Sequence, residues 1–183
     1  MEQKTVQTKA EKHEGGQNPM RTIAIEKMVV HCGGVEDKLE KSIKLLKKIT
    51  NGTVYIKKST RRIPAFGISP GKKSGAKVTL RDKKQIYDLL RRFFSAIDNK
   101  LHEKQITANQ ACFGIKEYIE VPGLEYEREI GILGFEVMLV FERKGKRVKM
   151  RKRRAGKFPA KQHVTPEEII EYLKEHFKVE VGK

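Results

Sequence analysis

The sequence predicts an α+β domain, a mostly antiparallel sheet with helices packed on one face and the other face left open and basic. Three observations carry that expectation. Runs rich in β-branched or alternating apolar residues recur at 22–31, 76–81 and 134–143. Segments between and after them carry one apolar stripe each at helical spacing. In the 76–81 run, the positions opposite the apolar ones are Lys77, Thr79 and Arg81, so cations and a hydroxyl share one side of a strand.

Taken in order, residues 22–31 (TIAIEKMVVH) read as a strand ended by Gly33-Gly34. Residues 36–49 place Leu39, Ile43 and Leu46 on one stripe, with Leu45 and Ile49 beside it, and Asn51-Gly52 stops that helix. A short strand follows at 53–58. Pro64, Gly67, Pro70, Gly71 and Gly75 make 59–75 a long basic loop. Residues 76–81 return as a strand that buries Ala76, Val78 and Leu80. The amphipathic helix of 83–97 carries Ile86, Leu89, Leu90, Phe93, Phe94 and Ile97. Strands are expected within 104–120, and Pro122-Gly123 opens a short helical connector. In 134–143, Phe135, Val137, Leu139 and Phe141 share a face. Thr165-Pro166-Glu167-Glu168 is a capping box with proline at the first helical position. It starts a helix buried through Ile169, Ile170, Leu173 and Phe177. Residues 1–19 are a polar extension with too few apolar groups to offset ordering entropy, which leaves 20–183 as one domain.

The charge is concentrated. Forty Lys and Arg against 23 Asp and Glu give +17 in 183 residues. Residues 57–84 carry +9 and residues 141–161 carry +10, so the remainder nets −2. A solvated surface would interleave its signs; clustering of this kind is the footprint of a nucleic-acid binder. No apolar run is long enough to span a membrane, and the first twenty residues lack the apolar core of a signal peptide. Cys32 and Cys112 stand far apart without metal-ligand spacing, which fits a reducing cytosol and no metal.

Catalytic chemistry finds no footing. The segment Gly67-Ile68-Ser69-Pro70-Gly71-Lys72-Lys73-Ser74 has the wrong glycine interval for a phosphate loop and precedes a strand rather than a helix. His31 and Cys32 are strand neighbours pointing to opposite faces, so they do not share a ligand. No nucleophile, base and orienting group assemble, so no active site and no cofactor are assigned. Five aromatics are committed to helices (Tyr87, Phe93, Phe94, Tyr172, Phe177), and recognition of RNA backbone and shape fits better than stacking on splayed bases. Arg147, Lys149 and Arg151 alternate with Val148 and Met150 and read as a second cationic strand edge. The competing readings are an RNA-dependent enzyme and a basic protein recruited by an acidic partner.

Several blocks, in this order, resemble the large-subunit ribosomal protein five family. They are Ile25-Glu26-Lys27, Ala65-Phe66-Gly67-Ile68, Ala76-Lys77-Val78-Thr79-Leu80-Arg81, Phe113-Gly114-Ile115-Lys116-Glu117, Glu129-Ile130-Gly131-Ile132 and Lys152-Arg153-Arg154. The later blocks are most similar to the archaeal form, and the likeness runs from about Pro19 to the C terminus. The resemblance implies a structural role in the cytoplasmic ribosome. It implies binding of 5S rRNA and large-subunit rRNA in the central protuberance, beside other proteins there. It also implies a loop near P-site tRNA and a contact to ribosomal protein thirteen of the small-subunit head. Carried over by position, His31, Thr53, Lys77, Thr79 and Arg81 would face 5S rRNA. Arg61, Arg62, Phe66, Gly67, Lys72 and Lys73 would form the tRNA-facing loop. Arg147, Lys149, Arg151, Lys152, Arg153, Arg154 and Lys157 would meet other rRNA. His31 stands where the family usually has asparagine, and Thr53 where it usually has glutamine.

Overall fold

The longest apolar-rich run forms β1 (Ile23–Gly33), and the rest of the sheet is assembled on its two edges. The computed structural model describes residues 18–182. The extension expected over 1–19 lies outside the described residues except for Asn18 and Pro19. There Asn18 Oδ1 accepts the Met20 N–H at 3.0 Å and caps a 3-10 turn, Pro19–Arg21.

After β1 come α1 (Asp37–Thr50), β2 (Tyr55–Lys58), β3 (Lys73–Leu80), α2 (Lys83–Ala96), β4 (Lys100–His102), β5 (Ile106–Thr107) and β6 (Gln110–Ile115). Then follow β7 (Phe135–Arg143), the single turn α3 (Arg147–Met150), α4 (Pro166–Phe177) and β8 (Glu180–Gly182). Six strands form one sheet in the order β2-β3-β1-β7-β6-β5, every pair antiparallel. β4 and β8 form a separate parallel pair.

Register follows from the alternation. Val78, Val30, Val137 and Phe113 lie in one cross-strand row, and Leu80, Met28, Leu139 and Ala111 in the next. All eight are buried. α1, α2 and α4 cover this face. Phe94 of α2 stacks on Phe113 at 5.2 Å and meets Phe177 of α4 at 5.2 Å, while Phe93 meets Phe135 edge-on at 5.3 Å. Replacing either α2 phenylalanine by alanine in such a packed layer costs about 3–5 kcal/mol.

Local signals place the helices as expected. Asn51 ends α1 in the left-handed conformation at φ 47°, its N–H donating to Lys47 O. Gly52 is required by closeness, since a Cβ there would sit 2.7 Å from Val78 Cγ1. Asp82 caps α2 by accepting the Lys84 N–H. The Thr165–Glu168 capping box opens α4 on Pro166.

Four expectations are corrected. Arg147, Lys149 and Arg151 do not alternate along a strand: Arg147–Met150 is a helical turn. β7 pairs with β1 only as far as Ile23 opposite Arg143, so a longer strand would have no partner, and Gly145 at φ 99° turns the chain away. Pro122-Gly123 opens no helical connector. A 3-10 turn at Tyr118–Glu120 precedes it, and an irregular path follows. That path is tied down by Tyr118 Oη accepting the Glu127 N–H at 2.8 Å and by Lys48 and Lys44 pairing with Glu127 and Glu129. The returning strand begins at Lys73, so the loop is shorter than expected. Thr53 precedes β2 rather than lying in it.

The inward face of β7 ends on a charge. Arg143 is buried and pairs with Glu168, the residue whose other oxygen accepts the Thr165 N–H at 3.0 Å. Burial alone would raise the Glu168 carboxyl; the Arg143 guanidinium and the Thr165 N–H outweigh it and hold the group below the ordinary value. A folded value below the unfolded one adds stability above the ordinary carboxylate range, lost as pH falls through the folded value. Glu168→Ala should therefore cost about 3–5 kcal/mol at pH 7, because it strands a buried guanidinium. Urea unfolding checks this, and the gap between parent and variant should close as pH falls below 4.5.

Candidate nucleic-acid interface

Among the described residues, α1, α2 and α4 leave the other sheet face uncovered, and its rows are set by the same register. One row runs Tyr55, Lys77, His31, Glu136, Gly114 from β2 to β6. The next runs Thr79, Val29, Met138, Cys112. Tyr55 is 62% exposed, with Lys77 Nζ 5.4 Å from its ring centroid. A cation held over an aromatic ring keeps its charge outward while its stem packs on the sheet. Tyr55 is the one aromatic in these two rows, in keeping with phosphate and shape recognition rather than a stacking platform.

His31 sits where the basic half of the face meets the rest. Its Nδ1 lies 3.6 Å from Glu136 Oε2, and its Nε2 approaches Gly75 so closely that a Cβ there would sit 3.1 Å away. Cys32 points the other way, buried, with Sγ donating to Ser42 Oγ at 3.1 Å. His31, Lys77 and Thr79 are thus gathered on one surface, with Arg81 exposed just past the end of β3. Thr53 is exposed two residues before β2. The sequence reading missed Glu136, Val29 and Met138 on this face. Extending the alternation of β7 outward from Val137 and Leu139 would have found Glu136 and Met138.

The β2–β3 connection closes on itself. Ile63 and Ile68 bridge, Pro64–Phe66 forms a 3-10 turn, and Gly67 at φ 60° lets the chain reverse. Phe66 is consequently 72% exposed at the tip, with Arg61 and Arg62 exposed nearby. Lys72 and Lys73 lie at the base instead: Lys72 Nζ pairs with Glu36 at 2.7 Å, and Lys73 starts β3 opposite Lys58.

The basic segment divides into two classes of cation. Arg143 is buried against Glu168, and Lys146 Nζ reaches Glu26 at 2.5 Å and Glu142 at 3.5 Å. For Glu26, burial would raise the carboxyl, but Lys146 and Lys27 hold it low. Arg147, Lys149, Arg151, Lys152, Arg153, Arg154 and Lys157 are all exposed. Arg151 Nε donates to Arg154 O at 2.7 Å, and Gly156 N–H to Val148 O at 3.1 Å, folding the segment into a compact turn that displays its charges.

The model of the C-terminal part of the ribosomal L5 protein family matches residues 73–171. The large ribosomal subunit protein uL5 of Nanoarchaeum equitans is 35% identical over 167 residues, covering 90% of this chain and 99% of that one. The uL5 proteins of Pyrobaculum aerophilum and Archaeoglobus fulgidus are 37% and 34% identical, each covering about nine tenths of both chains. The chain belongs to the ribosomal L5 family. It is thereby a structural, non-enzymatic protein of the large ribosomal subunit in the cytoplasmic ribosome, and association with rRNA is typical of that family. In this L5-family chain, the family model spans β3 through the first half of α4 and so includes most of the open face. Among the described residues, no helix is long and apolar enough to cross a membrane.

The division of cations has a measurable consequence. Arg153→Ala with Arg154→Ala should leave the melting temperature unchanged. It should reduce the slope of log affinity for rRNA against log salt by about 0.7–0.9 for each phosphate no longer neutralised. Lys146→Ala should do the reverse, lowering the melting temperature and leaving the slope nearly unchanged. Salt titrations of binding beside thermal melts separate the two.

Proposed function

We propose that the open face binds 5S rRNA in the central protuberance, through Lys77, Thr79 and Arg81, with His31 and Thr53 at its margins. The observation that carries this reading is the arrangement of β3. Ala76, Val78 and Leu80 are buried under the helices, which leaves Lys77 and Thr79 on the same uncovered face. Cations beside a hydroxyl suit phosphates and ribose hydroxyls. Residues 20–183 act as one RNA-binding unit, preceded by the extension of 1–19.

The exposed cations of 147–157 would contact large-subunit rRNA. The closed loop, led by Arg61, Arg62 and Phe66 around the Gly67 turn, would approach P-site tRNA, with Lys72 and Lys73 fixing its base. The connection 116–134 exposes Tyr126 and Ile132 beside Glu125 and the Lys48–Glu127 and Lys44–Glu129 pairs, an apolar and polar surface suited to a partner protein. On this reading it meets ribosomal protein thirteen of the small-subunit head or other central-protuberance proteins.

Arg81→Ala removes a charge-assisted contact worth about 1.5–3 kcal/mol, or roughly ten- to a hundredfold in affinity for 5S rRNA. Thr79→Val keeps the β-branched shape and should weaken binding at an unchanged melting temperature. If both variants bind 5S rRNA like the parent, the open face is not its binding surface. Removing residues 60–71 and joining Ser59 to Lys72 should spare 5S rRNA binding and impair translation. An equal loss of 5S binding would move the loop into the rRNA interface.

A further inference from the structure

The half of the open face built on β1, β7 and β6 is chemically unlike the half built on β2 and β3. Val29, Met138 and Cys112 run across it in register and, with Gly114, line a cavity of about 300 Å³. That volume is at the lower end for clefts that take a small ligand. It has room for a single ring system. His31, Glu136 and Gln105 supply the polar groups of its lining.

Two features of this cavity face outward from the chain. Gly114 is the penultimate residue of β6, within the ladder to β7, where glycine costs stability. Its φ lies outside the left-handed region, and a Cβ built on it would meet nothing within 4 Å. Neither backbone geometry nor internal packing calls for glycine there, and a strand glycine of that kind marks close approach by another molecule. Glu136 is the second feature. Its side chain is 77% exposed in the same row as Lys77, where incoming phosphates would repel it. A carboxylate is useful on an RNA-facing surface when it accepts a hydrogen bond from a base amine.

We propose that this cavity receives one unpaired, amine-bearing nucleobase of rRNA, its ring over Gly114 and against Met138, its exocyclic amine donating to Glu136. The inference rests on the reading that the open face binds 5S rRNA, and adds base readout to backbone contact. The floor has the right chemistry. Burial, with the nearby charge of Glu136, pushes the Cys112 thiol above its ordinary value, so it remains a neutral, weakly polar wall. An unpaired base presents its Watson–Crick edge to such a site, whereas a paired one does not.

The test is chemical probing of base edges on 5S rRNA, with dimethyl sulfate for adenine and cytosine and kethoxal for guanine. It is run free and at saturating concentrations of the full chain. The expected result is one unpaired, amine-bearing base protected by the parent. Gly114→Val should fold at least as stably, lose that one protection, keep the others, and bind about tenfold more weakly, the scale of a single base-edge interaction. Met138→Lys is the sharper variant. On a purely electrostatic face an added cation tightens binding; with a base seated against Met138 it weakens binding and abolishes the same protection. Arg81→Ala, at saturation, should retain it. Binding of 5S rRNA with no base protected, or protection that survives both pocket variants, overturns the pocket and leaves the binding reading standing. A partner protein's side chain in the cavity would give that same result. Failure of the parent to bind 5S rRNA would instead overturn the binding reading, and the pocket with it.

Discussion

β1 is hydrogen-bonded on both edges, to β3 from Met28 to Gly33 and to β7 from Ile23 to His31, and this double pairing governs everything else in the molecule. Side chains alternate along a strand, so a slip of one residue in either pairing would exchange the two faces. Val30 and Val78 would turn to solvent, and Lys77 and His31 would enter the core. The cost of burying those polar groups fixes the register as firmly as the gain from burying the valines. The bulge between Ile25 and Lys27 is the one irregularity in these two pairings, and it lets Ile25 and Met28 both point inward although three positions apart.

A second constraint is electrostatic. A chain with net charge +17 repels itself, and the acids are placed where the fold needs cations held rather than displayed. Glu168 holds Arg143 at the junction of β7 and α4, Glu26 holds Lys146, and Glu36 holds Lys72. Among the described residues, cations without such partners concentrate on the 147–157 turn and at the end of β3. The protein thus commits a few carboxylates to architecture and leaves the greater part of its positive charge displayed. Glu136 differs from these, an acid 77% exposed on the open face beside His31.

What was legible in the sequence was local. The capping box of α4, the stop at Asn51-Gly52, the stripe of α2 and the alternation of β3 and β7 are written in residues that touch within a few positions. β4 and β8 were not legible, because each is three residues long and exists only through pairing with the other across some eighty positions. The turn at 147–150 was misread for a related reason. Charged and apolar residues alternating over five positions fit a strand, but a strand needs a neighbour, and β1 has ended by then. For the candidate site, Lys77, Thr79 and Arg81 were readable from one strand alone. The meeting of His31 with Glu136, and the cavity over Gly114, depend on which strands became neighbours.

On the proposed reading the uncovered sheet face, and not the helical side, meets rRNA. Hydroxyl-radical footprinting of side chains, with mass spectrometric readout on the free protein and its 5S rRNA complex, tests it most directly. Tyr55 and Met138 are exposed on the open face, whereas Tyr126 is exposed on the connection tied to α1. Tyr55 and Met138 should become less reactive in the complex while Tyr126 stays as reactive as before. Protection of Tyr126 with Tyr55 and Met138 unchanged would place the RNA on the opposite side of the molecule and contradict it.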